Sequence, residues 1–174
     1  MAKVKMELLE LVESTKRIFE VTDVADLGDA LMKTVTERDV AKMDAFVELT
    51  GLERDYLQPI YQYYCADRTG KKQDFTPSCL GEFLSILIND DVIVDMCAGT
   101  GALTIQKWNG NKNQKFALAE IDEGVVPYLL FNMVIRNINS EVVVGDVLAD
   151  YVVRMYRITP GDKYGNVSNL ESAI

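Results

Sequence analysis

The chain has 174 residues, of which 48% are hydrophobic and 26% are charged. This composition is that of a globular protein with a substantial core, and it excludes an intrinsically disordered chain. The net charge of −9 disfavours strong binding of free duplex DNA by the chain alone, because such binders neutralise phosphates with a surplus of Lys and Arg.

Residues 1–70 are predicted to form a helical region. Asp23 is placed to cap a second helix, and the helical pattern continues over residues 40–50 and 53–66. Apolar side chains recur near helical spacing at the start of this region, at Met6, Leu9, Val12 and Phe19.

Two features near the end of this region each allow two interpretations. An aromatic stripe is interpreted as packing against the domain that follows, with base stacking as the alternative. Its members are Tyr56, Ile60, Tyr63 and Tyr64. The basic stretch over residues 67–73 is interpreted as a solvated loop, with a phosphate contact as the alternative.

The rest of the chain, residues 71–174, is predicted to form a second domain of the α/β class. A helix is expected first, and then short β-branched runs alternate with helical segments. Because strands separated by helices pair in parallel, the pattern predicts a parallel sheet with right-handed crossovers. The expected helices cover residues 78–88, 102–108 and 124–136, and the expected strands cover residues 92–94, 115–121, 142–144 and, as a candidate, 151–158.

The residue types that are missing or few exclude several kinds of site. The chain has no histidine, which excludes imidazole catalysis and His-ligated metals. Its cysteines, Cys65, Cys79 and Cys97, lack the pairing of a disulfide framework or a zinc site. The amino terminus is charged throughout and no apolar run reaches transmembrane length. We therefore expect a soluble cytoplasmic protein without a metal or a membrane attachment.

The most informative motif is Asp95-x-x-x-Gly99-x-Gly101, which lies directly after a predicted strand and directly before a predicted helix. Glycine lets a ligand approach the backbone at the carboxyl end of a parallel strand. The start of the next helix presents N–H groups to a negative ligand group. That group is pyrophosphate in a dinucleotide enzyme, and it is the methionine carboxylate where S-adenosylmethionine (SAM) is bound.

Two acidic residues lie at the ends of the next two predicted strands. Glu120 is placed to accept hydrogen bonds from both hydroxyls of a ribose, although Asp122 nearby also suits a helix N-cap. Asp146 follows Gly145 at the end of the third strand, where a carboxylate would accept from the exocyclic amine of adenine. A common Gly-Asp turn is the alternative there.

Four segments in this order resemble the N6-adenine DNA methyltransferases, and most of all the modification subunit of type I restriction systems. They are Phe75-Thr76-Pro77, Asp95-Met96-Cys97-Ala98-Gly99-Thr100-Gly101, Ala119-Glu120-Ile121-Asp122 and Gly145-Asp146. The resemblance covers about residues 70–148, and the third glycine of the dinucleotide fingerprint is missing. It implies a Rossmann-like SAM-dependent methyltransferase fold, preceded by a helical region, with SAM as the cofactor.

The resemblance also implies a role for each matching residue. Thr76 and Pro77 would lie near the methionine end of SAM, and Glu120 would hold the ribose. Ile121 would pack against the adenine ring, and Asp146 would meet the adenine amine. The floor of the pocket, along the methionine and sulfonium, would consist of Asp95, Cys97, Ala98, Gly99 and Gly101.

The resemblance stops before the methyl acceptor site. Enzymes of this family carry a Pro-Pro-aromatic motif after the fourth strand, whose ring stacks on a flipped adenine. Here the corresponding residues are Thr159-Pro160-Gly161-Asp162-Lys163-Tyr164, and no catalytic residue is assigned. The sheet also has fewer strands than a complete methyltransferase, so the SAM-binding domain is expected to be partial.

Three functions follow from this partial match. The first is a short or split adenine-N6 DNA methyltransferase of a restriction-modification system, which reaches DNA through a partner subunit that supplies the acceptor motif. The second is a non-catalytic SAM-binding or structural subunit, and the third is a methyltransferase for a small molecule or a protein. If residues 151–158 do not pair beside the first strand, the edge of that strand stays open in the truncated sheet, and a homodimer or a hetero-complex is expected.

Overall fold

The computed structural model describes residues 7–67, 70, 83 and 86–170. Among the elements with described bounds, four helices come first, and a five-stranded sheet with two further helices follows. The helices are α1 (Leu8–Phe19), α2 (Leu27–Thr36), α3 (Val40–Thr50), α4 (Leu57–Tyr64), α5 (Ala102–Gly110) and α6 (Val126–Ile135). The strands are β1 (Val92–Asp95), β2 (Lys115–Glu120), β3 (Ser140–Asp146), β4 (Tyr151–Thr159) and β5 (Asn166–Leu170).

Side-chain caps set the starts of two segments in the helical region. The Asp23 carboxylate accepts a hydrogen bond from Ala25 N at 2.9 Å and caps the 3-10 turn Val24–Asp26, which leads into α2. Asp39 accepts from Lys42 N at 3.2 Å at the start of α3. Asp23 therefore caps the turn that leads into α2 and not α2 itself, whose N-cap position is Asp26 without a side-chain hydrogen bond.

The apolar stripe of α1 differs from the predicted one. Leu9 is 66% exposed, whereas Leu11, Val12 and Phe19 are buried. The reason is that α1 places residues 11, 12, 15 and 19 on one buried face, and Leu9 lies outside that face. Met6 lies outside the described residues.

The aromatic stripe near α4 is also only partly internal. Ile60 is buried, which confirms packing at that position, but Tyr63 is 72% exposed and Tyr64 is 45% exposed. Tyr61, which was not part of the predicted stripe, is buried instead and contacts Tyr128 edge-on, with 5.0 Å between the ring centroids.

Helix α6 lies at the centre of the molecule. Nine of its ten residues are buried, as expected for a helix that is apolar on all sides. Phe131 on α6 meets the rings of Phe19 and Phe46 at centroid distances of 5.3 Å each. One hydrophobic core thus includes residues of α1–α4, α5, α6 and the sheet.

The sheet has the strand order β1-β2-β3-β4-β5. The pairs β1–β2 and β2–β3 are parallel, whereas β3–β4 and β4–β5 are antiparallel. The predicted parallel sheet is therefore correct for three strands, and the five-stranded sheet of the described residues is mixed. Only four residues connect β3 to β4, and such a short connection permits antiparallel pairing alone.

Helices cover one face of the sheet, on which Ile93, Leu118, Val142 and Tyr156 are buried. On the opposite face Val94 is 58% exposed. Since β4 pairs with β3 and not with β1, no described strand lies along the outer edge of β1. Across the described ranges, no helix has both the length and the apolarity needed to cross a bilayer.

Candidate functional site

The glycine motif forms a tight loop between β1 and α5. Gly99 has φ 55° and Gly101 has φ 93°, both in the left-handed region that favours glycine. A Cβ on Gly101 would lie 2.8 Å from Met133 Cε and 2.9 Å from Leu129 Cδ1. Glycine is thus favoured at position 101 both by the backbone conformation and by the close packing of the loop on α6.

Backbone and side-chain bonds join this loop to the end of β2. Ala98 N donates to Ala119 O at 3.0 Å, and Gly99 N donates to Glu120 Oε2 at 2.8 Å. The structure therefore brings together the glycine loop and the acidic residue that the sequence placed at the neighbouring strand end.

The Glu120 carboxylate is held by backbone groups on both sides. Its Oε2 accepts from Gly99 N, and its Oε1 accepts from Asp122 N at 2.8 Å. The residue is 8% exposed, so its orientation is set before any ligand arrives. Each carboxylate oxygen has two lone pairs, and both oxygens retain the capacity to accept a hydroxyl proton.

Asp122 does not act as the N-cap of α6. Its Oδ1 accepts from Gly124 N at 3.1 Å, and its Oδ2 accepts from the Tyr61 hydroxyl at 2.8 Å. The residue before α6 is Val125, and in this fully described segment no side chain caps the helix. Asp122 instead holds the turn between β2 and α6 against the helical region.

Asp95 ends β1 at the entrance of the loop. Its Oδ1 accepts from Cys97 N at 3.1 Å. Burial raises the pKa of the Asp95 carboxyl above its usual range, and the bond from Cys97 N opposes this only in part. Cys97 itself is exposed, while Ala98, the next residue of the loop, is buried.

The two remaining described candidates lie further along the sheet. Ile121 is 64% exposed, which leaves its side chain available to a planar ligand. Asp146 Oδ1 accepts from Leu148 N at 2.9 Å and from Ala149 N at 3.2 Å. Asp146 therefore organises the turn into β4, the alternative role considered for it. Thr76 and Pro77 lie outside the described residues.

The strand ends that carry these side chains are staggered. Asp95 pairs with Leu118, two residues before Glu120, and Glu120 pairs with Val144, two residues before Asp146. With about 4.8 Å between strands and about 3.3 Å per residue, Asp95 and Asp146 are separated by roughly 10 Å across the sheet and roughly 13 Å along it. The row of candidates suits an extended ligand more than a compact one.

The segment that corresponds to the acceptor motif lies at the other end of the sheet. Because β4 runs antiparallel to β3, Ile158 pairs with Ser140, the first residue of β3. Tyr164 is 5% exposed, and its hydroxyl donates to Asp44 Oδ1 at 2.6 Å in the helical region. Residues 159–164 are thus remote from the glycine loop, and Tyr164 is not available to stack on a base.

Sequence reasoning missed a polar cluster behind the glycine loop. It consists of Asp55, Thr100, Asn132 and Arg136, joined by hydrogen bonds of 2.5–2.9 Å. The last three are 0–3% exposed. Burial lowers the pKa of Arg136 to about 10, and burial raises the pKa of the Asp55 carboxyl. Asn132, within an apolar helix, and Arg136, the residue directly after it, were the sequence signal for it.

A cavity of about 400 Å³ opens between the helical region and the start of α6. Its lining includes Asp23, Tyr61, Tyr64, Cys65, Asp122 and Tyr128. None of the predicted site residues lines it, although Asp122 follows Ile121 directly. Among the described residues, no group of three or more Cys, Asp and Glu is arranged to hold a metal ion.

No protein-family model matches this chain, and no curated protein or solved structure is significantly similar to it.

Proposed function

We propose that this chain is a SAM-binding protein of the adenine-N6 DNA methyltransferase type, with its cofactor at the carboxyl ends of β1, β2 and β3. One observation carries the proposal, namely the bond from Gly99 N to Glu120 Oε2 at 2.8 Å. This bond joins the glycine loop, which precedes α5, to the preoriented Glu120 carboxylate on the neighbouring parallel strand β2. This arrangement suits a ligand with both a ribose and a carboxylate.

Each end of SAM has a suitable partner in the proposed site. The start of α5 follows Gly101 and, in the described structure, carries no side-chain cap, so a methionine carboxylate fits there. Glu120 would accept from the ribose hydroxyls, and the exposed Ile121 would cover one face of the adenine. Asp146 would accept a hydrogen bond from the adenine amine in addition to the hydrogen bonds of its turn.

Calorimetry tests the cofactor assignment. SAM and S-adenosylhomocysteine should bind the purified chain, and NAD and ATP should bind much more weakly. Glu120→Gln should weaken SAM binding by about 10-fold or more, because an amide replaces one charged acceptor. Glu141→Gln, on the exposed face of β3, is the matched control and should bind like the wild type. No heat and no thermal shift with SAM would end this proposal.

Methyl transfer by this chain would require an acceptor site from elsewhere. SAM carries a good leaving group, so the reaction mainly needs alignment of an amine with the methyl carbon. The position of residues 159–164 at the far end of the sheet favours a split enzyme, whose partner supplies the Pro-Pro-aromatic motif and contacts DNA. A cytoplasmic location follows from the supply of SAM and DNA there.

Mixing experiments separate the split enzyme from the alternative. A candidate partner that carries the acceptor motif, such as the product of a neighbouring reading frame, should support transfer of labelled methyl groups to DNA only together with this chain. SAM binding without transfer in any mixture would favour the non-catalytic SAM-binding subunit.

Association with a partner or with a second copy is also proposed, from the edge of β1. Val92 is 46% exposed and Val94 is 58% exposed, and no strand among the described residues pairs with this edge. Exposed strand edges recruit further strands. Light scattering at micromolar concentration should show a homodimer of the chain alone or a hetero-complex with the candidate partner. A monomer both alone and in the mixture would contradict the expectation.

A further inference from the structure

The segment between α3 and α4, residues 52–55, is hydrogen-bonded to α5, which follows the glycine loop, and to the residue at the end of α6, the helix that follows β2. Three successive carbonyls of this segment accept side-chain hydrogen bonds. Leu52 O accepts from Arg136 Nε at 2.8 Å, Glu53 O from Asn109 Nδ2 at 2.6 Å, and Arg54 O from Arg136 Nη2 at 2.6 Å. The helical region is therefore fixed to α5 and α6 through this segment.

The last residue of the segment, Asp55, reaches the glycine loop directly. Its Oδ2 accepts from Thr100 Oγ1 at 2.5 Å, and its Oδ1 accepts from Asn132 Nδ2 at 2.9 Å. The same Oδ1 accepts from Leu57 N and Gln58 N at 2.9 Å each, at the start of α4. One carboxylate thus joins the first turn of α4, helix α6 and the loop.

Thr100 is held at a second point by the same cluster. Asn132 Nδ2 also donates to Thr100 O at 2.8 Å, so both the side chain and the backbone of Thr100 are bound. Thr100 is 1% exposed and lies between Gly99 and Gly101, the two left-handed residues that shape the loop.

We propose that Asp55 is a positioning residue for SAM binding, which it supports by fixing Thr100 and with it the conformation of the glycine loop. This inference rests on the proposed function, since it concerns the loop that would receive the cofactor. Glycine loops have many accessible conformations, and a ligand that must order one loses affinity in doing so. A loop fixed beforehand binds without that loss.

The charges in the cluster support a role beyond packing. The Asn132 amide lies between the Asp55 carboxylate and the Arg136 guanidinium, because its Oδ1 accepts from Arg136 Nη1 at 2.8 Å. Burying such a charged set is costly, and apolar residues of equal volume are often as stable. Unlike an apolar residue, the Asp55 carboxylate can accept the hydrogen bond from the Thr100 hydroxyl.

Substitutions at Thr100 test the proposal most directly. Thr100→Val keeps the shape and removes the donor, and it should weaken SAM binding by about 10-fold. Thr100→Ser restores the hydroxyl and should bind within about 2-fold of the wild type. Thr50→Val is the matched control, because Thr50 is also buried and its Oγ1 donates to Phe46 O at 2.8 Å. It should lower the thermal midpoint without changing the SAM dissociation constant.

A second measurement does not depend on the cofactor. Amide hydrogen exchange of residues 96–101 without SAM should become faster in Thr100→Val and in Asp55→Asn, but not in Thr50→Val. If the wild type binds no SAM, the proposed function fails, while the exchange rates still decide whether Asp55 fixes the loop. Unchanged exchange, or SAM binding by Thr100→Val equal to that of Thr50→Val, would overturn the inference.

Discussion

Replacing Gly101 with alanine is expected to destabilise the protein by about 2–5 kcal/mol. The φ of Gly101 is 93°, a left-handed conformation that costs an L residue about 1–2 kcal/mol. The added Cβ would lie 2.8 Å from Met133 Cε and 2.9 Å from Leu129 Cδ1. Both atoms are ends of flexible side chains, so they would shift, and overpacking of this kind costs about 1–3 kcal/mol.

Urea unfolding followed by the fluorescence of the single tryptophan measures this loss. Trp108 is 7% exposed on α5, the helix that begins after Gly101. The matched control is Gly110→Ala, at the last residue of the same helix, where an added Cβ has no atom within 4 Å. It should be neutral or stabilise by up to about 1 kcal/mol. A loss below about 1 kcal/mol for Gly101→Ala, or an equal loss for both variants, would refute the reasoning.

Two further predictions concern the carboxylate at the loop and the tyrosine at the far end of the sheet. Because burial keeps the pKa of the folded Asp95 carboxyl above its unfolded value, its ionisation opposes folding. This cost is absent below the ordinary aspartate pKa of about 3.9 and is complete above the raised folded pKa. Asp95→Asn should therefore melt at a higher temperature than the wild type at pH 7, and the difference in melting temperature should vanish toward pH 3. The variant should also bind SAM less tightly. A lower melting temperature of the variant at pH 7 would show that ionised Asp95 stabilises the fold, against this prediction. Tyr164→Phe should lose about 1–2 kcal/mol in urea unfolding, since it removes the bond to Asp44 at 2.6 Å. Its SAM affinity should be unchanged, and a large loss of affinity would show that Tyr164 acts on the cofactor site.

Much of the secondary structure could be predicted because its causes are local. Alternation of β-branched runs and helical segments gave strands within two residues of the observed β1, β2, β3 and β4. The Asp23 cap was recognisable since a capping side chain reaches only a few residues ahead. β5 was missed because its sequence, Asn-Val-Ser-Asn-Leu, does not alternate apolar and polar residues and has no fully buried position.

The candidate site was predictable to the same extent. Asp95, Gly101 and Glu120 were predicted as site residues because ligand sites form where parallel strands end, and the structure places Gly99 and Glu120 in contact. Asp55 was not found, because no local pattern connects it to Thr100, 45 residues further along the chain. Buried polar pairs of this kind become visible only once packing has brought the segments together.

The sequence by itself determined most of the segments that become strands and helices, with β5 as the exception, and it placed glycine and carboxylate residues at the ends of the parallel strands. Only the tertiary structure decided the direction of β4, which takes Tyr164 away from the glycine loop, and the contact between Asp55 and Thr100. The physical reason is the distance along the chain over which each kind of interaction acts. Helix, strand and cap preferences act over a few residues, whereas strand pairing and buried hydrogen bonds depend on contacts between segments far apart in the chain.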